Sequence, residues 1–218
     1  MAEILTIADA GHDDEGKRLQ SAVSAVIEAG RRAAARAWVP ATSGNFSARI
    51  DENTIAITRS GTDKGALSRA DILVVDLDAP DPRASAEAPL HYALYRSMPS
   101  VNAILHIHSP AASVLSRTLA EGMLRLEGWE LQKALSGIRS HETAVDVLVF
   151  ANDQDTARLA AAATHRLAKP GNSTLAPGYL IAGHGLYAWG ASLEEAWRHT
   201  EALETLLTYQ LNQERLRA

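Results

Sequence analysis

Two histidines, His106 and His108, stand two residues apart at the end of an apolar run that begins at Val101. Such a run reads as a short buried strand, and on a strand residues i and i+2 project from one face. Both imidazoles can then reach one metal ion without a bend in the chain. His184 lies far downstream in Ile181-Ala182-Gly183-His184-Gly185-Leu186, where glycines on both sides suit a tight turn close to other backbone. Three neutral histidines with an open fourth position are a layout of catalytic zinc. Histidines that merely pack or hydrogen-bond are the competing reading, which His-x-His alone does not exclude.

Two further stretches could serve such a centre. Arg59-Ser60-Gly61-Thr62-Asp63-Lys64-Gly65 offers backbone N–H groups, hydroxyls and an ammonium, as a phosphate requires. An ordinary turn is the simpler alternative. Glu87, in Ser85-Ala86-Glu87, sits where a helix begins, so it is either a reactive carboxylate or a capping group at the positive end of the helix dipole. His91, one helical turn later, and His141 are candidates for supporting roles, whereas His12, His165 and His199 read as surface residues.

The elements that must position these groups follow from periodicity. Residues 1–14 read as a loose lead-in. Leu19, Val23, Val26, Ile27, Ala33 and Ala37 recur at helical steps, which predicts a helix from Glu15 to Trp38, ended by Pro40. Its Arg31, Arg32 and Arg36 read as a solvated face. Alternation predicts a strand over Phe46–Ile50, then a turn at Asp51-Glu52-Asn53 and a second strand over Ile55–Thr58. Ile72–Leu77 reads as a third strand, and Ser85 as the cap of a helix reaching Met98. Helical spacing returns over Ala111–Leu119 and again over Glu127–Leu135, which contains Glu130 and Lys133. Val145–Phe150 is strand, and Asn152 or Asp153 caps a helix over Gln154–Ala168. A turn at Pro170-Gly171-Asn172-Ser173 leads to strands Tyr179–Ala182 and Leu186–Trp189, which bracket His184. A closing helix runs from Leu193 to about Leu211.

A length of 218 residues suits one sizeable domain, and no internal repeat or composition shift divides it. A net charge of −5 without a basic cluster argues against nucleic acid and anionic membrane as partners. The longest apolar runs fall short of a membrane span, and the N-terminus lacks the basic region and apolar core of a secretory signal. There are no cysteines, so a metal site must use His, Asp or Glu, and the cytoplasm is the expected compartment.

Taken together, Ser43-Gly44-Asn45-Phe46-Ser47, Ser60-Gly61, Ser85-Ala86-Glu87, His106-Ile107-His108-Ser109 and Gly183-His184-Gly185 resemble the class II aldolase and adducin family, in the same order and at matching spacings from about residue 17 to 211. Within it, Ser60 to Gly65, Glu130-Leu131-Gln132-Lys133, Asn152-Asp153-Gln154-Asp155 and Pro177 to Tyr187 resemble the dehydratase branch that works in methionine salvage. The resemblance implies one α/β domain over residues 1–218, built as a three-layer α/β/α fold around a mostly antiparallel sheet. It also implies a homotetramer with active sites near subunit boundaries, and one zinc ion per subunit on His106, His108 and His184.

The activity it implies is dehydration of 5-methylthioribulose 1-phosphate to a 2,3-diketone phosphate, with no organic cofactor. Glu130 would be the principal acid/base and Glu87 its support; phosphate would sit among Asn45, Ser60, Gly61, Lys64 and Ser85. A metal charge left uncancelled by neutral ligands suits the anion formed when the C3 proton leaves. The rivals are a sugar-phosphate aldolase or epimerase of the same family, a non-catalytic adducin-like interaction domain, and a zinc hydrolase.

Overall fold

The computed structural model describes residues 6–119, 121–169 and 174–217. The turn expected at 170–173 lies outside the described residues. Among the described residues eight strands form one sheet in the order β3-β2-β1-β4-β8-β7-β6-β5. They are β1 (Asn45–Arg49), β2 (Thr54–Thr58), β3 (Ile72–Asp76), β4 (Ala103–Ile107), β5 (Gly122–Leu126), β6 (Val145–Phe150), β7 (Thr174–Ile181) and β8 (Gly185–Gly190). Every neighbouring pair is antiparallel except β6 and β7. That one parallel pair needs a crossover, which helix α4 (Thr156–Leu167) supplies.

Helices cover both faces. On one face α1 (Thr6–Ala35), α3 (Pro110–Leu119) and α5 (Leu193–Arg217) pack Val26, Leu115 and Leu206 against Phe46, Leu105 and Leu186. On the other, α2 (Ala88–Ser97) and α4 pack Leu90, Leu94 and Leu159 against Ile57, Ile104 and Ile181. The three-layer α/β/α arrangement with a mostly antiparallel sheet is therefore the observed fold.

Several elements differ from the expectation. Helix α1 starts at Thr6, so most of the stretch read as a lead-in is helical. Periodicity finds only the part of a helix that faces a core. Strand β5 was missed: its buried Leu124 and Leu126 alternate with exposed Met123 and with Arg125, a pattern too short to stand out. Arg125 pairs across the strands with the buried Asp146. The helix expected over Glu127–Leu135 is only a 3-10 turn, Glu130–Ala134, flanked by Gly128 and Gly137 in left-handed conformation. Arg32 and Arg36 do more than face solvent, because both guanidinium groups lie over the Trp197 ring and Trp197 stacks on Trp38.

Candidate metal centre

The sheet register builds a row of side chains on the face covered by α2. Asn45 of β1 pairs with His106 of β4, His106 with Tyr187 of β8, and Tyr187 with Tyr179 of β7. The period of two makes this placement strict, because a slip of one residue would turn His106 to the opposite face. The His106 ring stacks on Tyr187 at 4.0 Å, and its Nδ1 lies 3.1 Å from the Leu186 carbonyl. Nδ1–H donates there, which leaves Nε2 bare and aimed outward.

His108 follows the end of β4, where its backbone N–H donates to the Trp38 carbonyl. His184 sits in the β7–β8 turn, which Gly183 enters at φ 64° and the Ser113 hydroxyl holds by donating to the His184 carbonyl at 2.7 Å. The three Nε2 atoms converge: His106 to His108 is 2.9 Å and His108 to His184 is 3.1 Å. Glu87 completes the group, with Oε2 at 3.2 Å from His106 Nε2 and Oε1 at 2.8 Å from His184 Nε2. All four donor atoms lie within 4.8 Å of one another.

Glu87 does not cap α2, since its side chain makes no capping hydrogen bond. Helix α2 begins at Ala88, later than expected, and Ser85 accepts from the Glu87 N–H instead. Burial alone would raise the Glu87 carboxyl, but attraction to His106 first, and then to His184, holds it below the usual carboxylate range. Burial, with repulsion from His106 and His184, brings the His108 imidazole down to about 3. It is neutral at physiological pH, as a ligand must be. Three imidazole nitrogens facing each other at such distances repel unless a cation lies between them. Nitrogens about 2.0–2.1 Å from a tetrahedral ion would themselves be separated by roughly 3.3 Å. The donor set thus fits a divalent metal.

Close packing at Gly185 protects the arrangement. A β-carbon there would lie 2.2 Å from the Ile107 carbonyl oxygen and 3.1 Å from His106 Cε1. Gly185→Ala is therefore expected to destabilise the fold by about 1–3 kcal/mol, the usual cost of overpacking, and to weaken metal binding. Thermal melting and metal titration check this, and a variant unchanged in both would refute it.

Beside the cluster opens a cavity of about 230 Å³. Asn45, Ser60, Gly61, Lys64 and Ser85 all line it, together with Glu87 and His108. The Lys64 ammonium is buried and donates to the Thr42 and Thr62 carbonyls at 3.0 and 2.7 Å. Burial pulls its pKa down, against the opposing charges of Asp63 and Glu87. Sequence reasoning did not assign Ser43 and Arg59, which also line the cavity. The Ser43 hydroxyl is buried without a hydrogen-bond partner among the described residues. The signal was available, because Ser43 precedes Gly44-Asn45 and Arg59 precedes Ser60-Gly61.

Glu130 is not brought to the cluster within the chain. Its side chain is 73% exposed; it pairs with Lys133 and lies 3.5 Å from His141 Nδ1. His91 is fully buried beside the centre, while His165 is exposed as expected. His199, expected at the surface, is buried: its Nδ1 donates to the Trp189 carbonyl at 2.6 Å, and its Nε2 accepts from the Ser136 N–H. The side chain of His12 lies outside the described residues.

Residues 24–211 match the model of the class II aldolase and adducin N-terminal domain. A methylthioribulose-1-phosphate dehydratase from Bradyrhizobium sp. is 55% identical over 87% of this chain and 90% of its own length. Another from Parvibaculum lavamentivorans is 52% identical over 90% and 96%. Among solved structures, the L-fuculose-1-phosphate aldolase from Thermus thermophilus superposes with a TM-score of 0.72 at 28% identity, over 92% of this chain and 98% of that one.

Proposed function

Because this chain belongs to the class II aldolase and adducin family, we infer that it removes water from 5-methylthioribulose 1-phosphate to give 2,3-diketo-5-methylthiopentyl 1-phosphate, a step of methionine salvage. The observation that carries the reading is the cavity that joins the histidine cluster and Glu87 to Ser60, Gly61, Lys64 and Ser85. A carbonyl bound at one end and a phosphate at the other both find groups suited to them.

His106, His108 and His184 would hold one zinc ion. When bound, it withdraws electron density from the C2 carbonyl and makes the C3 proton acidic. Lys64 keeps one of its three N–H donors after serving Thr42 and Thr62, and that donor is directed to the phosphate, with Ser60, Gly61 and Ser85 around it. Asn45 lines the same cavity, but its amide hydrogens go to Glu87 and Ser85, so it serves the phosphate by holding Ser85.

Elimination needs one group to take the C3 proton and one to protonate the departing C4 hydroxyl. Breaking C3–H and C4–O leaves an enol that relaxes to the diketone, with all carbons retained. Glu87, ionised and facing the cluster, is suited to support this transfer. Glu130 is the principal acid/base, delivered to the cluster of a neighbouring subunit, since in its own chain it contacts Lys133 and His141 instead. The active assembly in this reading is a homotetramer, in which a neighbour can supply that carboxylate, and its work is in the cytoplasm. Among the described residues no helix is long and apolar enough to cross a membrane.

The aldolase reading retains one specific support, the likeness to the Thermus protein. Cleavage would deprotonate the C4 hydroxyl and rupture C3–C4. Carbon NMR of a reaction started with 5-methylthioribulose 1-phosphate is expected to show a five-carbon diketone phosphate that keeps the methylthio group. Dihydroxyacetone phosphate as the main product would make the enzyme an aldolase.

A further inference from the structure

A chain of buried hydrogen bonds runs from Tyr95 through Ser47, His91 and Asn45 into Glu87. The Asn45 Nδ2 lies 2.7 Å from Glu87 Oε2, and the Asn45 Oδ1 lies 2.5 Å from His91 Nε2. His91 Nδ1 lies 2.7 Å from Ser47 Oγ, which lies 2.9 Å from the Tyr95 hydroxyl. His91, Ser47, Tyr95 and Asn45 are all at most 1% exposed.

Only one assignment of protons satisfies this chain. A carboxylate has no proton to give, so the Asn45 amide must present its NH₂ to Glu87 and its oxygen to His91. His91 must then carry its proton on Nε2, leaving Nδ1 to accept. Ser47 therefore donates to His91, and Tyr95 donates to Ser47. Burial supports the same state, as it raises the Tyr95 phenol well above its ordinary value, keeping it protonated, and brings the His91 ring down to about 3, keeping it neutral. Each link has one direction, and the chain ends on Oε2, which leaves Oε1 as the oxygen free of it.

We propose that His91 is a positioning residue: locked as the Nε2–H tautomer by Ser47 and Tyr95, it turns the Asn45 amide so that only donors face Glu87, which fixes that carboxylate toward the histidine cluster. The idea rests on the reading of Glu87 as a proton-transfer group. Its geometric part does not depend on the substrate. An apolar ring at position 91 would leave the Asn45 oxygen without a donor and free the amide to rotate. The lost alignment is expected to lower kcat roughly tenfold, toward the low end for a hydrogen bond to a charged group, with KM within about twofold.

Two measurements test it on the full, metal-loaded chain. Imidazole nitrogen NMR should show His91 as the Nε2–H tautomer in the wild type, and a mixed population in Ser47→Ala, where the donor to Nδ1 is gone. Steady-state kinetics of His91→Phe should show the fall in kcat with metal content unchanged, and His91→Gln, which can still donate to Asn45 and accept from Ser47, should recover most of it. An Nδ1–H tautomer in the wild type overturns the proposal, as does a His91→Phe variant with wild-type kcat or a His91→Gln variant no better than it. Should His91→Phe fail to fold, the Ser47→Ala tautomer shift and its kcat decide the matter. A wild type inert toward the ketose phosphate would instead count against the reaction, because the tautomer is read without substrate.

Discussion

Replacing His184 with alanine is expected to strip the chain of its divalent ion and to lower turnover by at least about 10³-fold, the loss of several kcal/mol of charge stabilisation. His184 supplies one of three convergent imidazole nitrogens, and the two that remain are too few to keep a divalent ion bound at ordinary metal concentrations. The substitution is also the cleanest of the three. The turn is held by backbone groups: the His184 N–H donates to the Ile181 carbonyl and the Ser113 hydroxyl to the His184 carbonyl, and both survive truncation. The side chain is itself partly open, at 17% exposure. His106, by contrast, is fully buried against Tyr187, so its removal adds a cavity to the chemical loss. Elemental analysis, turnover and thermal melting of His184→Ala separate the effects. Full metal content with full activity would mean that the three-histidine centre is wrong.

The centre was legible in the sequence because its parts are local patterns. His106 and His108 share a strand run, and the glycines around His184 announce a turn. The residues that line the cavity beside it stand out too, each lying in a short motif of small and polar residues. What periodicity could not supply was the pairing of those motifs. Asn45 meets His106 through strand register, and Glu87 meets His184 across 97 positions of chain, contacts that only the sheet order creates. The hydrogen-bond chain behind Glu87 was equally hidden. Ser47 and His91 are 44 residues apart, and nothing in a Ser-x-x pattern on β1 points to a histidine on α2.

The misread elements have a common cause. Strand β5 and the turn at Glu130–Ala134 lie at the β5 edge of the sheet, where a strand has one partner and alternation covers few residues. Helical spacing over Glu127–Leu135 arose from Trp129, Leu131 and Ala134 packing partly on the core, which a short 3-10 turn achieves as well as a helix. His199 looked like a surface residue because it stands between Arg198 and Glu201 on α5. Its imidazole instead bridges the Trp189 carbonyl and Ser136, and so ties the segment after Glu130 to α5.

That segment is where the second large effect is expected. Glu130→Gln should lower turnover by roughly 10²–10⁴-fold, the range of a general acid/base, and leave the metal bound. Glu87→Gln should cost less, and the reverse order would give Glu87 the principal role. The physical difficulty is that Glu130 faces solvent in its own chain. Lys133, by hydrogen bonding to it, holds its carboxyl below the ordinary value, so it is ionised and exposed on a turn that the cluster does not touch. The proposed role of Glu130 therefore calls for its delivery from another subunit. The consequence is measurable by mixing. Glu130→Gln chains keep the histidines, His184→Ala chains keep the glutamate, and neither alone should turn over. In randomly mixed symmetric oligomers about one site in four would pair an intact cluster with an intact Glu130 from a neighbour, so activity should return to about a quarter of wild type. Recovery of that size requires co-refolding or co-expression, since preformed oligomers exchange slowly or not at all. No recovery from oligomers shown by mass spectrometry to contain both chains would place the acid/base within the chain that holds the metal, and Glu87 would then be the remaining carboxylate at the cluster.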